Sequence, residues 1–423
     1  MSLFKRTWMC VLFGTIALIV IINYMLTEPP IFRDFKKYKM LEIASITPLH
    51  DNRTFIIGAY YDNREKSLIR IIAILNRRYV NELYCWLICS NIDGFAAIQK
   101  VGIDILAHDF GFPYVIGHLL CPTVRNCTTE YVAIHLSDKR DSDKLPLFEI
   151  RNRSPSAFTA EFTVCISTMF GNSTNALQFI QTIEMYKLLG AQKVMIYNHS
   201  CSSLIDKVMK HYIAEGTVEV IPWPIDFYLD VSTSWHFTLG SRPKDLGYYG
   251  QLATLNDCLY RNMYKSKYVV LIDMDEIIMP KKHQNWASMM AYLQKKYRKR
   301  GIFIFENHVF PNNVFDLTFN LSAWKAIPGD NVLLHVYREP GTKYHEKMIV
   351  NPRKVIQISV HTVLKTYSRH VKVSRRIAML QHYREALQPN LPRASLIKDT
   401  TIWKFSASLI HQVDVLKNHT SLF

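Results

Sequence analysis

Two carboxylates one residue apart, Asp273 and Asp275, follow the apolar run "KYVVLI" (267–272) and are joined at once by Glu276. On a strand, residues two apart share a face, so the pair is expected to point together while Met274 packs behind. Carboxylates this close repel, and either a shared proton or a divalent cation relieves the repulsion. Oxygen donors without neighbouring thiols or a paired histidine favour Mg²⁺ or Mn²⁺ over zinc. A cation held by one or two carboxylates completes its shell with water and substrate phosphates, which directs attention to phosphorylated ligands. A bare D-x-D is more often a solvated acid cluster at a strand end, so the reading depends on what surrounds it.

Upstream, strand and helix patterns alternate. "FTVCIS" (162–167) alternates apolar residues, and "ALQFIQTIEMYKLLG" (176–190) repeats them at three and four before Gly190, a C-cap residue. "KVMIYN" (193–198), "SLIDKVMKHYIAEG" (203–216) and "VEVIPW" (218–223) complete a βαβαβ run. A further helix, "YYGQLATLNDCLYRNMY" (248–264), leads into the strand that ends at Asp273. Such alternation predicts a doubly wound α/β domain, whose ligands bind at the carboxyl ends of its strands. Between 53 and 150 the short apolar runs "TFIIGAYY", "LIRIIAIL", "LYCWLIC" and "EYVAIHL" predict a small, mostly β accessory region. The charged, Pro- and Ser-bearing stretch 140–157 reads as the boundary, and the chain contains no internal repeat or low-complexity tract.

The N-terminus carries an uncharged run at 9–26 behind Lys5 and Arg6, close to the length of a membrane-spanning helix. A cleaved signal peptide shares these features, but no A-x-A site follows, which favours an uncleaved anchor. The expected organisation is a cytosolic tail (1–8), an anchor (9–26), a stem (27–52), the accessory region (53–150) and an α/β domain (158–400). Seven sequons, at Asn52, Asn126, Asn152, Asn172, Asn198, Asn320 and Asn418, favour a lumenal body. Seven cysteines lie beyond Cys10, enough for three disulfides in an oxidising lumen, and the closest local pairs are Cys121 with Cys127 and Cys85 with Cys89. Zinc would need a second C-x-x-C or H-x₃-H, which is missing. The formal charge of +16 suits anionic partners; a lumenal body removes nucleic acid and leaves nucleotide diphosphates. The runs "KKYRKR" (295–300) and "SRHVKVSRR" (368–376) read as solvated faces.

With these residues in view, the chain resembles glycosyltransferase family 92. The resemblance covers about residues 160–390 and rests on "CISTMFGNSTNALQFIQTIEMYKLLGAQKVMIYN", "GQLATLNDCLYRNMYKSKYVVLIDMDEIIMP", "EKMIVNPRKVIQISVHTV" and "QHYREA". It implies a GT-A-like, doubly wound mixed sheet and a type II, single-pass Golgi membrane protein with a lumenal catalytic domain. Carried onto this chain, Asp273 and Asp275 are the D-x-D pair that holds Mn²⁺ (or Mg²⁺) against the diphosphate of a UDP-sugar, and His361 completes the metal shell. The implied reaction moves galactose from UDP-galactose, with inversion, to a β-linked glycan acceptor such as an N-glycan. Inversion calls for a carboxylate base. Glu306, Glu346 and Glu276 are candidates, and Glu306 is preferred because it follows the apolar strand "GIFIF". Lys347 and His382 or Arg384 are expected at phosphate, Asn198 in the nucleotide pocket, and Trp235 or Trp324 against an acceptor sugar. Two features depart from the family pattern: Ile277 stands where many members carry an aromatic, and "FENHVF" gives no clear family match for the base.

Two other classes stay open on the sequence alone. A non-catalytic lumenal glycan-binding protein or degenerate transferase would use the acids for structure, and an active transferase could use another UDP-sugar.

Overall fold

The computed structural model describes residues 31–33, 44–80, 82–89, 95–138, 146–154, 157–171, 174–235, 242–319, 324–325 and 327–419. The expected anchor at 9–26 lies outside the described residues, among which no helix is long and apolar enough to cross a membrane.

The first part of the chain is a β region. Its strands are β1 (Thr54–Asp62), β2 (Leu68–Asn76), β3 (Tyr84–Cys89), β4 (Phe95–Lys100), β5 (Gly102–Ile105), β6 (Tyr114–Pro122), β7 (Thr129–His135) and β8 (Phe148–Arg151). They lie in the order β4-β3-β7-β8-β1-β2-β6-β5. Period-two alternation gives the central strand β2 two apolar faces. On β2, Ile69, Ile71, Ala73 and Leu75 enter a core shared with Leu87 of β3 and Val132 of β7. Ile72 and Ile74 point the other way, toward the second half of the molecule. The cysteines pair across this region as Cys85–Cys121 and Cys89–Cys127, not as the local pairs expected. The reason is register: Cys85 and Cys89 sit four residues apart on one extended strand, β3, and each is met by a partner from another segment.

The second part follows the alternation read from the sequence. Its elements are β9 (Ala160–Met169), α1 (Ala176–Leu189), β10 (Lys193–Asn198), α2 (Ser203–Glu215), β11 (Val218–Pro222), α3 (Gln251–Arg261), β12 (Ser266–Ile272), β13 (Glu276–Pro280), α4 (Trp286–Lys296), β14 (Ile302–Pro311), β15 (Thr342–Val350), β16 (His370–Val373), β17 (Ala378–Arg384) and α5 (Ser406–His419). The sheet runs β11-β10-β9-β12-β15-β14-β17-β13, with β16 beside β14. The first four strands are parallel, and β15 then inserts antiparallel between β12 and β14, which makes the sheet mixed. Gly190 and Gly216 end α1 and α2 with φ of 105° and 82°, values that cost glycine little.

The two faces of this sheet are covered differently. Val270 and Ile272 of β12 pack with α1, α2, α4 and α5. Val269 and Leu271 face α3 and, beyond it, Phe55, Ile57, Ile72 and Ile74 of the β region. Helix α3 is therefore enclosed between two sheets, and its residues 251–260 are all buried. It starts later than the sequence pattern suggested, because Tyr248, Tyr249 and Gly250 hold φ of 47°, 50° and 73° ahead of it. Buried Asp257 on α3 accepts hydrogen bonds from Tyr60 of β1 (2.5 Å), Tyr197 of β10 (2.6 Å) and Arg261 (2.6 Å). One carboxylate thereby links both sheets and the helix.

A third disulfide, Cys165–Cys258, fastens α3 to β9 and closes a segment with a sequence separation of 93. Loop-closure entropy of that length is worth about 4.7 kcal/mol. The Cys165→Ala/Cys258→Ala double variant is expected to lose about that much stability in denaturant unfolding, with the difference from wild type vanishing under reducing conditions.

Candidate active site

Strand β12 stops at Ile272 and β13 begins at Glu276, so Asp273, Met274 and Asp275 form a turn and do not continue a strand face. The turn has a specific cause. The Asp273 N–H donates to Glu276 Oε2 (2.7 Å), while the Glu276 N–H donates to the Asp273 carbonyl (3.2 Å). From α1, the Tyr186 hydroxyl donates to the carbonyls of Asp273 (3.1 Å) and Glu276 (2.7 Å). Asp273, Met274 and Asp275 all reach one cavity of about 360 Å³, which Ser167, Thr168, Phe170, Tyr248 and Arg384 also line. Its floor is the carboxyl end of β9 and β12, where a doubly wound sheet places ligands.

The positive charge that meets these acids is Lys347 of β15. Its Nζ is 2.5 Å from Asp273 Oδ2 and 3.3 Å from Glu276 Oε2, and its side chain is only 2 % exposed. Register explains the contact, since Met348 of β15 pairs with Leu271 near the end of β12. Asp273 Oδ1 in turn accepts from Ser167 Oγ (3.1 Å) and from Gln251 Nε2 (3.0 Å), the latter at the first position of α3. Burial alone would raise the Asp273 carboxyl, but Lys347 outweighs it and holds the group below the usual range. Glu276 is fully buried, and desolvation lifts its carboxyl above the usual range despite Lys347, with Asp273 adding to the effect. On the other side, His382 Nε2 of β17 stands 3.1 Å from Asp275 Oδ2, and Nδ1 lies 3.5 Å from Glu276 Oε1. Burial works against the imidazolium, yet Asp275 and Glu276 raise the His382 pKa.

The residues singled out in the sequence fall into three groups. Asp273, Asp275, Lys347 and His382 meet in one charge cluster, and Arg384 lines the same cavity. His361 lies near that cluster: its Nδ1 is 3.1 Å from the Glu346 carbonyl and its Nε2 is 3.2 Å from His345 Nδ1. Burial and then Lys347 lower its pKa to about 4, so the ring is neutral. Asn198 ends β10, with its amide on Cys201 Sγ at 3.8 Å. Glu306 sits on β14 with its carboxylate 3.2 Å from His308 Nε2, and Glu346 pairs with Lys372 at 3.0 Å. Trp235 stacks on Tyr248 at 5.3 Å, whereas Trp324 is buried and donates to Asp414. Ser167, Gln251 and Tyr186 were missed. Their only sequence signal is position, at the end of the first strand, the start of α3 and the sheet-facing side of α1.

Among the described residues no group of three His, Cys, Asp or Glu side chains is arranged to hold a metal by itself. The donor set nevertheless fits a hard divalent cation that relies on substrate phosphate: two carboxylates reach one cavity, and about a third of each side chain is exposed. His361 Nδ1 meets a backbone carbonyl, as the outer nitrogen of a metal-binding histidine does, while its Nε2 is engaged by His345 Nδ1 and would have to exchange that contact for a cation.

Removing Lys347 would take the ammonium from between Asp273 and Glu276 and leave His382, 3.5 Å from Glu276, as their counter-charge. Breaking a buried pair from one side costs about 3 kcal/mol or more. Lys347→Met is expected to lose stability on that scale in urea unfolding at neutral pH, and adding Glu276→Gln to recover part of it.

Similarity to known proteins identifies the family of the chain. The profile of glycosyltransferase family 92 matches residues 160–413. The chain is 25 % identical over 159 residues to the Caenorhabditis elegans protein beta-1,4-galactosyltransferase galt-1, covering 37 % of this chain and 32 % of that protein. A second protein of that nematode, a glycosyltransferase family 92 protein, is 24 % identical over 202 residues, covering 47 % and 37 %. The chain thus spans about a third of the length of these curated relatives. Among solved structures, glucosyl-3-phosphoglycerate synthase of Mycobacterium tuberculosis aligns with a TM-score of 0.22 and 14 % identity over 46 % of this chain and 57 % of that one. A similarity that low carries no argument. The family profile covers more than half of the chain, including β12, the D-x-D turn and the strands that bring Lys347 and His382 to it, and the protein belongs to glycosyltransferase family 92.

Proposed function

We propose that this chain is a GT-A-type glycosyltransferase that moves a hexose, galactose from UDP-galactose, onto a glycan acceptor with inversion. The observation that carries the reading is the convergence of Asp273 and Asp275 on one cavity at the carboxyl end of β12 in a family 92 chain. The similarity to a beta-1,4-galactosyltransferase supports galactose as the sugar. In this reading Asp273, Asp275 and His361 hold Mn²⁺ or Mg²⁺ together with the diphosphate. The cation's chemistry is to offset charge on the departing UDP.

The remaining work belongs to the chain's own side chains. Lys347, Ser167 and Gln251 fix the Asp273 carboxylate in place before any ligand arrives. Arg384, exposed at the rim of the cavity, is placed to meet phosphate. Glu306 accepts the proton of the acceptor hydroxyl as its oxygen bonds to the anomeric carbon and the bond to the UDP oxygen breaks. Three disulfides among the described residues support a body that folds in an oxidising compartment. With the apolar run at 9–26 they support a type II Golgi protein with this domain in the lumen.

Purified protein with Mn²⁺ is expected to release UDP from UDP-galactose faster than from other UDP-sugars. Asp273→Asn and Asp275→Asn should each lower that rate by about 100-fold, the scale of a lost charge-stabilising group. Wild-type rates in both variants would contradict the assignment, and a higher rate with another UDP-sugar would change the donor.

A further inference from the structure

The pairing of β14 with β15 is irregular opposite Glu306. It runs to Phe305 opposite Lys347 and resumes at Asn307 opposite Thr342, so four residues of β15 (343–346), with His345 at φ 67°, bulge against the single residue Glu306 of β14. On its other edge Asn307, His308 and Val309 pair with Leu380, Gln381 and His382 of β17. Irregularities of this kind re-aim a side chain and are common beside active sites. Glu306 therefore lies between the strand that brings Lys347 to Asp273 and the strand that brings His382 to Asp275. The next residue, Asn307, has its amide 3.5 Å from His382 Nδ1.

Behind the partly exposed Glu306 carboxylate stands His308, fully buried, with Nε2 3.2 Å from Glu306 Oε1. Arg338 Nη1 lies 3.1 Å from His308 Nδ1. A guanidinium only donates, so Nδ1 must accept and the ring proton sits on Nε2, facing Glu306. Burial first, then Arg338, bring the His308 pKa down to about 4, against a backbone contact with Glu339 that raises it. The approach to Glu306 is oblique, since neither His308 Nε2 nor Arg338 Nε makes a well-aligned hydrogen bond. Contacts of this kind often tighten only in the reacting complex. Arg338 is itself held by Asp399, 3.6 Å from Nε, which Lys281 meets at 2.8 Å.

Gly341 makes the close approach possible. A Cβ at that position would run into Glu306 Oε1 and the His308 ring, coming to 2.8 Å from Nδ1. A buried chain of polar groups with imperfect hydrogen bonds costs stability, and such cost concentrates at functional sites.

We propose that His308, fixed by Arg338, is the positioning residue of Glu306 and aims its carboxylate at the acceptor hydroxyl. The inference rests on the transferase reading above. In the transfer step the hydroxyl proton passes to Glu306, the new C–O bond forms and UDP leaves with the electrons of the broken bond. His308 keeps its Nε2 proton throughout.

A double-mutant cycle on the full chain tests this, with UDP-galactose hydrolysis as the probe, water standing in for the acceptor, and UDP affinity measured in parallel. Glu306→Gln should lower kcat about 100-fold. His308→Leu should lower it about tenfold, the scale of a lost orienting contact, with UDP affinity unchanged. His308→Gln, which keeps a side-chain N–H, should restore most of the rate. In the Glu306→Gln background His308→Leu should have no further effect. An equal loss from His308→Leu in both backgrounds, or a wild-type kcat in Glu306→Gln, overturns the proposal and leaves the transferase reading standing. A wild-type protein that fails to bind UDP overturns both.

Discussion

The site depends on one buried ammonium. Lys347 sits between Asp273 and Glu276 with almost no access to water, so the desolvation of all three groups must be offset by their mutual attraction and by hydrogen bonds. That condition accounts for much of the local architecture. An antiparallel β15 is inserted beside the last parallel strand, placing Lys347 near the end of β12. The chain turns after Ile272 so that Glu276 can take the Asp273 N–H, and Tyr186 ties down both carbonyls. Asp273 is then held on both oxygens, while the Asp275 carboxylate meets His382 alone of these groups. The pair is asymmetric in its contacts: both carboxylates reach the cavity, but the first is tied to the fold by three donors and the second by one.

The β region contributes to the site through α3. That helix carries Gln251 at its first position, and it is enclosed by the β region on one side and the mixed sheet on the other. Asp257 and the Cys165–Cys258 disulfide fix its rotation and height. The two halves of the chain thus share one core, and the β region serves as the layer that a helical pair would supply elsewhere in a doubly wound fold.

The sequence made some of this legible and hid the rest for identifiable reasons. Periodicity located β9 through β12 and their helices because each buries a regular face. The D-x-D pair was visible as three acids after an apolar run. Its turn was not, because the turn is made by a side chain of Glu276 reaching back three residues, which no propensity reports. Lys347 was recognised as a site residue but expected at phosphate; its burial depends on the register of β15 with β12, a contact between positions far apart in the chain. Cysteine spacing suggested local pairs, and strand register chose distant ones. Tyr248 and Tyr249 looked helical by pattern, and only the backbone shows them left-handed.

The central claim is that Asp273 and Asp275 present a cation to a nucleotide diphosphate, with Lys347 holding only the first of them. Calorimetric titration of UDP with and without Mn²⁺ tests it most directly. The account predicts that Mn²⁺ tightens UDP binding by about tenfold or more in wild type, a coupling of about 1.4 kcal/mol, and has little effect in Asp275→Asn. Equal UDP affinity with and without Mn²⁺ in wild type, or an undiminished Mn²⁺ effect in Asp275→Asn, would contradict it.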